Sequence, residues 1–195
     1  MAGVEAILLA AGQSARFGGP KLLAQLDREP LLRRQVDELL SAPVERLLVV
    51  IGAFAREYRA CLPINTRVEI IEHAGWAAGL GSSIAAGFRQ LAPGTNGALI
   101  VLADQPALRA GLITEMIGRF DGEPDAVVAC RYAGVLGPPT LFGRAWFPAL
   151  GGLRGEEGAR RILKEAGPQV RIIDWPEGAF DLDTPEDWER WASSG

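Results

Sequence analysis

The sequence predicts an α/β fold of three layers, helix, sheet and helix, built around a mostly parallel sheet. Three observations carry this. Short continuous apolar runs recur along the chain, segments of helical period lie between them, and glycine or aspartate follows several of the runs directly. Continuous apolar runs of this length suit strands covered on both faces. Their alternation with helices implies right-handed crossovers between parallel neighbours. In such sheets, ligands bind beyond the carboxyl ends of the strands.

The elements follow in order. Val4 to Ala10 reads as a buried strand, and Arg46 to Ile51 as a second, ended by Gly52. Val68 to Ile71, Ala98 to Ala103 and Ala126 to Cys130 read as three more. Helical patterns cover Leu31 to Ser41, Ala53 to Cys61, Ser82 to Leu91 and Leu112 to Phe120. Arg160, Arg161 and Lys164 fall on a further helix after the turn at Gly155. A last helix opens at Thr184, with Pro185 at its first position and Asp187 as the acidic partner of a capping box. Trp188 and Trp191, three residues apart, then share one face and pin that helix to the body. No repeat or low-complexity linker divides the chain, so residues 1–195 read as one domain.

Composition narrows the function classes. The chain of 195 residues is 48% hydrophobic and 23% charged, as expected of a globular protein. Its net charge of −4 argues against a broad basic face for nucleic acid. No apolar run approaches the roughly 20 residues of a membrane-spanning helix. Met1-Ala2-Gly3 carries no charged leader region, so a secretory signal is not expected. Cys61 and Cys130 lie far apart without metal-ligand spacing, which reads as reduced thiols and a cytoplasmic setting.

Against this acidic background the cations near the amino terminus are a local feature. The stretch Leu8 to Leu23, LLAAGQSARFGGPKLL, follows the first strand. Gly12, Gly18 and Gly19 permit close approach of an anion to backbone N–H groups, and Arg16 and Lys21 can add charge to it. The stretch matches neither the Walker A loop nor the dinucleotide fingerprint. A solvated surface loop fits its composition equally well. Asp104, in Ala103-Asp104-Gln105-Pro106, follows the fourth strand, where a carboxylate can hold Mg²⁺ or simply cap a turn. Asp181 and Asp183 precede the capped last helix and are not needed for the cap. The single histidine, His73, reads as structural or superficial.

Taken together and in order, these motifs resemble the nucleotidyltransferase family that activates molybdopterin, with the molybdenum cofactor cytidylyltransferase branch as the nearest match. Leu9-Ala10-Ala11-Gly12, Arg16-Phe17-Gly18 and Lys21 stand at the positions of that family's opening signature. Asp104 stands in its Gly-Asp-x-Pro motif, and Asp181 to Asp187 completes its Asp-x-Asp-Thr-Pro-Glu-Asp. Gly79-Leu80-Gly81-Ser82-Ser83 resembles its glycine-serine loop, and Gly155-Glu156-Glu157-Gly158-Ala159-Arg160 its Gly-Asp-x-Gly-Ala-Arg. The chain departs from the pattern at Phe17, Pro20, Ala103 and Glu156, and Gly137-Pro138-Pro139 stands where relatives often carry Gly-His-Pro.

The resemblance implies a Rossmann-like nucleotidyltransferase fold and transfer of a nucleoside monophosphate to a phosphorylated acceptor. It implies Arg16, Lys21 and Asp104 as catalytic residues, with Leu9, Ala10, Ala11, Gly12, Gly81 and Ser83 contacting the nucleotide. Mg²⁺ is the expected cofactor, held by Asp104 and Asp183. The expected substrates are an NTP, CTP in preference, and a phosphorylated pterin, with transient contact to a molybdoenzyme or its chaperone. Guanylyl transfer, transfer to another phosphorylated acceptor, and a non-catalytic nucleotide-binding partner of a molybdoenzyme are the alternatives. Ser82 also suits the N-cap of the helix that follows it. Trp76 is a candidate for stacking on a ring, while Trp146 and Phe147 suit packing or an acceptor pocket.

Overall fold

A computed structural model describes residues 3–26 and 28–193. Met1, Ala2 and the last two positions of the expected 1–195 domain lie outside the described residues. The first strand, β1 (Val4–Ala10), is buried along its whole length and organises the sheet. A two-residue hairpin, β2 (Gln25–Leu26) and β3 (Glu29–Pro30), leads into α1 (Leu31–Ser41). Then follow β4 (Arg46–Ile51), α2 (Ala55–Cys61), β5 (Val68–Glu72), α3 (Leu80–Phe88) and β6 (Gly97–Leu102). The second half comprises α4 (Ala110–Arg119), β7 (Val127–Tyr132), β8 (Val135–Gly143), α5 (Phe147–Gly151), α6 (Arg160–Ala166), β9 (Arg171–Asp174) and α7 (Pro185–Ala192).

The seven-stranded sheet runs β5-β4-β1-β6-β8-β7-β9. β5, β4, β1 and β6 are parallel, β8 is antiparallel to both its neighbours, and β9 is parallel to β7. The alternation of β1 side chains divides the core in two. Val4, Ala6, Leu8 and Ala10 pack with α1, α2 and α4 on one face. Ile7 and Leu9 pack with α3, α5 and α6 on the other. The predicted three-layer, mostly parallel architecture is therefore the observed one.

The sequence reading passed over β8 and β9. β8 carries Gly137-Pro138-Pro139, residues that normally interrupt a strand because proline has no N–H for the ladder. The sheet accommodates them at a register shift. Ala129 pairs with Thr140 but Cys130 pairs with Gly137, so both prolines fall in the offset. Pairing of β8 with β6 likewise stops at Thr140, opposite Ile100, short of the carboxyl end of β6. The helix expected from Ser82 begins at Leu80 instead. Ser82 is not its cap: the Oγ donates to Gly79 O at 2.7 Å and lies 3.0 Å from His73 Nε2. His73 is thus a half-buried structural residue, its ring pushed toward neutrality by burial and by Arg89.

The last helix has the predicted cap. Asp187 N–H donates to Thr184 Oγ1 at 3.2 Å, and Thr184 N–H returns a bond to Asp187 Oδ2 at 2.9 Å. Trp188 and Trp191 pack against the core, and Trp191 lies 5.3 Å from the Phe180 ring. Trp146 donates to Asp125 O at 2.9 Å, and Phe147 stacks edge-on to Phe88, so both serve packing. Cys130 is buried, which pushes its thiol up to about 12.

Candidate functional site

Three segments distant in sequence meet at the carboxyl edge of β1 and β6. β1 and β6 are paired neighbours, so the residues that follow each strand emerge side by side. After β1 the chain makes a turn in which Phe17 N–H and Gly18 N–H both donate to Ser14 O. Gly18 has a φ of +77°, which a glycine adopts without strain. The turn delivers Arg16 to the rim and Lys21, at the start of a short 3₁₀ turn (Lys21–Leu23), to the floor. After β6, Ala103 N–H donates to Leu9 O at 3.2 Å, and Asp104 follows. The third segment, Phe180 to Thr184, is drawn in by Leu182 N–H, which donates to Asp104 O at 3.0 Å.

The charged groups converge. Lys21 Nζ donates to Asp104 Oδ2 at 2.7 Å and to Asp183 Oδ1 at 3.0 Å. Arg16 Nη2 donates to the other Asp183 oxygen at 2.8 Å. The Lys21 side chain is only 12% exposed, against 73% for Arg16, so Lys21 is the inner cation and Arg16 the outer one. Burial pulls the Lys21 ammonium down, but the two carboxylates outweigh it and hold its pKa above the ordinary value. Asp181 joins the cluster electrostatically. The protein packed about it, then the charges of Asp104 and Asp183, raise its carboxyl to about 6, although the residue as a whole is exposed.

Above these groups lies a cleft of two chambers. One, of about 540 Å³, is lined by Ala10, Arg16, Lys21, Asp104 and Asp183. The other, of about 430 Å³, is lined by Ala11, Trp76, Gly79, Leu80 and Ser83. Leu9, Gly12, Gln13, Asp104 and Glu156 border both. The first chamber is cationic and acidic on its floor. The second is walled by an indole and small side chains, the surface a planar ring takes.

Of the sequence-derived candidates, Leu9, Ala10, Ala11, Gly12, Arg16, Lys21, Ser83, Asp104 and Asp183 all border this cleft. Gly81 stands behind its wall. Its N–H donates to Gly155 O at 2.8 Å, and a Cβ there would lie 2.6 Å from Glu157 O, so it seats the loop that carries Glu156. Gly52 does similar work for Trp76: a Cβ at Gly52 would lie 2.6 Å from Ala11 O and 2.7 Å from Trp76 Cβ.

Sequence reasoning missed Gln105. It is 1% exposed, and its Nε2 donates to Gly178 O at 3.1 Å and Tyr132 Oη at 3.4 Å. Gln105 thereby ties the strand that leads to Asp104 to the segment that leads to Asp183. A glutamine directly after a strand-end aspartate was the available signal, but its partners are distant in sequence.

Among the described residues, no group of three or more His, Cys, Asp or Glu side chains is gathered for a metal. Asp104 and Asp183 nevertheless present oxygen donors to one shared point, now held by the Lys21 ammonium. An oxygen-only pair suits a hard dication, which commonly takes one or two carboxylates from a protein and completes its shell with phosphate oxygens and water.

A parallel α/β sheet with a glycine turn, two cations and two carboxylates at its carboxyl edge has the layout of a protein that handles nucleotide phosphates. Comparison with known proteins specifies the class. The family described as MobA-like NTP transferase domain matches residues 6–170. The chain is 32% identical to the purine catabolism protein PucB of Bacillus subtilis, over 94% of this chain and 93% of that one. It is 28% identical to a probable molybdenum cofactor guanylyltransferase of Trichormus variabilis, over 96% and 89% of the two chains. The crystal structure of Rv0371c from Mycobacterium tuberculosis H37Rv in complex with manganese matches with a TM-score of 0.78 at 25% identity, covering 98% of each chain. The chain is a nucleotidyltransferase. It belongs to the MobA-like NTP transferase domain family.

Proposed function

We propose that this chain, acting as one catalytic domain, transfers CMP from CTP to the phosphate of molybdopterin and releases pyrophosphate. The observation that carries the reading is the convergence of Lys21, Arg16, Asp104 and Asp183 on one chamber, beside a second chamber shaped for a ring. Lys21 and Arg16 hold the triphosphate and stabilise charge that moves to the departing pyrophosphate. Backbone N–H groups between Ala11 and Gly19 assist them. Asp104 and Asp183 hold Mg²⁺, which when bound offsets the mutual repulsion of the two phosphate reactants. The acceptor phosphate is ionised at neutral pH, so no side chain has to remove a proton from it. The base lies against Trp76 and Ser83, with Leu9, Ala11 and Gly12 behind it.

Base choice rests on Ala11. Ala11 borders the second chamber, and a methyl there takes space that a glycine would leave open. A purine is larger than a pyrimidine and meets that methyl first. Discrimination by shape of this kind is on the order of 1–3 kcal/mol, or about 10- to 200-fold. The guanylyltransferase relative keeps GTP as a second reading. The deciding measurement is pyrophosphate release with each of four NTPs, with and without molybdopterin. The expected result is acceptor-dependent turnover with CTP, and a narrower CTP-to-GTP ratio of kcat/KM in Ala11→Gly. A wild-type preference for GTP moves the protein to guanylyl transfer. Nucleotide binding without turnover on any acceptor makes it a binding partner rather than an enzyme.

A further inference from the structure

The most heavily engaged group in the cleft is Lys21, and its position is hard to reconcile with a single role. An ammonium assigned to phosphate should face the chamber. Here it is drawn down between two carboxylates, 2.7 Å from Asp104 and 3.0 Å from Asp183, with little of its side chain exposed. That point is also where the two carboxylates would share a dication. An ammonium and a dication make the same demand on those oxygens and repel each other at contact distance. Only one of them can hold the point at a time.

We infer that Lys21 is an internal stand-in for the divalent cation, and that its exchange between carboxylates and phosphate couples metal binding to nucleotide binding. The inference rests on the reading of Asp104 and Asp183 as the metal ligands.

The framework suits such an exchange because the backbone that carries the two carboxylates is held by groups other than Lys21. Leu182 N–H on Asp104 O fixes the two segments together. Gln105 Nε2 on Gly178 O adds a second tie. Asp183 N–H and Thr184 N–H both donate to Asp187 Oδ2, which fixes the backbone that carries the Asp183 side chain. The backbone of Lys21 is equally fixed, its N–H donating to Gly19 O at 2.8 Å. Its four-carbon stem is the flexible part, and it can carry the ammonium from the floor to the chamber above while the main chain stays in place.

The charges set the order of events. Asp104 and Asp183 are paired with Lys21 and Arg16, so without ligands these two carboxylates are matched by two cations. A dication arriving alone must displace Lys21 from both partners and leave the ammonium without a counter-charge. A dication arriving with a triphosphate gives Lys21 a new anion at the moment it loses the old ones. Metal alone therefore binds weakly, and each ligand tightens the other by the same factor, as linkage requires.

The test is Mn²⁺ binding to the full chain, read by electron paramagnetic resonance of free Mn²⁺, with and without α,β-methylene-CTP, which blocks transfer. In the wild type, the analogue should tighten Mn²⁺ binding about tenfold or more, within the usual range of coupling between sites. Lys21→Met should bind Mn²⁺ alone about tenfold more tightly than wild type, and the analogue should tighten Mn²⁺ by a smaller factor than it does in wild type. Lys21→Arg, which keeps the charge, should stay weak for metal alone. Melting curves of each variant confirm folding, and Lys21→Gln replaces Lys21→Met should the latter fail to fold. Equal Mn²⁺ affinity with and without the analogue in the wild type, under conditions where calorimetry shows the analogue bound, overturns the inference with no variant needed; α,β-methylene-GTP replaces the CTP analogue should the latter not bind. So does Mn²⁺ affinity in folded Lys21→Met that equals wild type. If Asp104→Asn still loses Mn²⁺ in those cases, the ligand reading stands and only the exchange is lost. If Asp104→Asn and Asp183→Asn both retain full Mn²⁺ affinity, the ligand reading itself fails.

Discussion

β1 carries a charged cluster at each end, and the two are built on opposite terms. At the amino end, Glu5 is 4% exposed, yet both of its oxygens are occupied. Oε2 accepts from Arg46 at 2.8 Å, and Oε1 accepts from Thr95 Oγ1 at 2.8 Å and Ala92 N–H at 3.3 Å. Arg46 reaches on to Glu69, so three strands and the approach to β6 are joined by one hydrogen-bonded network. At the carboxyl end, three carboxylates crowd two cations, and one of them, Asp181, is held near pH 6 by its surroundings. A buried charge must be paired and hydrogen-bonded if it is to add to stability. Glu5 meets that condition, while at the other end Asp104 and Asp183 are more exposed and border an open cleft. The contrast separates charge that holds the sheet together from charge kept ready for a ligand.

The sharpest way to break this contrast is to remove one carboxylate from each end. Asp104→Asn should lower kcat/KM about 100- to 1,000-fold, the usual cost of losing one preorganised electrostatic contact. Its melting temperature should stay close to wild type, because Lys21 retains Asp183. Steady-state pyrophosphate release and calorimetry on the same sample check both halves. Near-normal turnover would remove Asp104 from the chemistry. Glu5→Gln should do the reverse. Hydrogen bonds to charged groups contribute about 1.5–3 kcal/mol, so a loss of about 2 kcal/mol is expected. For a chain of this size that corresponds to a fall of roughly 4–8 °C in Tm, with kcat unchanged at 25 °C.

Gln105 lies between the two kinds of charge. It is buried and structural in its contacts, but what it holds is the spacing of Asp104 and Asp183. Gln105→Leu should lower kcat about tenfold with little change in KM for the nucleotide, since a small displacement of positioned groups costs rate before affinity. An equal effect on stability with kcat intact would make Gln105 a member of the structural set.

The two ends also differ in how far the sequence discloses them. Lys21, Asp104 and Asp183 are legible because each adjoins a recognisable element: Lys21 and Asp104 come after apolar strands, and Asp183 stands just before the Thr-Pro-Glu-Asp opening of a helix. Their order along the chain then carries the resemblance. The Glu5 network is illegible, since a lone glutamate in an apolar run says nothing of a partner in β4 or of Thr95. The central strands β1, β4 and β6 are evident from unbroken apolar runs. β8 is hidden because its prolines are tolerated only through a register shift that depends on β7. Gly81 illustrates a different limit. Its place in a glycine-serine motif points to the nucleotide, whereas its amide is engaged by Gly155 O and its bare Cα makes room for a loop. A motif identifies which residues gather, and only the packing decides which of them face the ligand.

The smallest expected effect tests whether the cluster at the carboxyl end of β1 is under electrostatic load at all. Asp181 has a folded-state pKa of about 6, above the ordinary carboxylate value, because burial and then the charges of Asp104 and Asp183 disfavour its ionised form. Between about pH 4 and 6 the folded protein therefore binds more protons at this site than the unfolded chain. Stability must fall as pH rises through that window, and level off above it. This is the opposite sign from a carboxylate held in an ion pair. Asp181→Asn removes the ionisation, so in EDTA-containing buffer it should melt a few degrees above wild type at pH 7.5. The gap should close as pH falls toward 4, where the wild-type carboxyl is protonated in the folded state. The same substitution at Asp183 should show no such gain, since Asp183 is bound by both Lys21 and Arg16. A gap for Asp181→Asn that is constant from pH 4 to 7.5 would mean that the stabilisation comes from packing. In that case the crowding of Asp181 by Asp104 and Asp183 at the carboxyl end of β1 would carry no energetic weight.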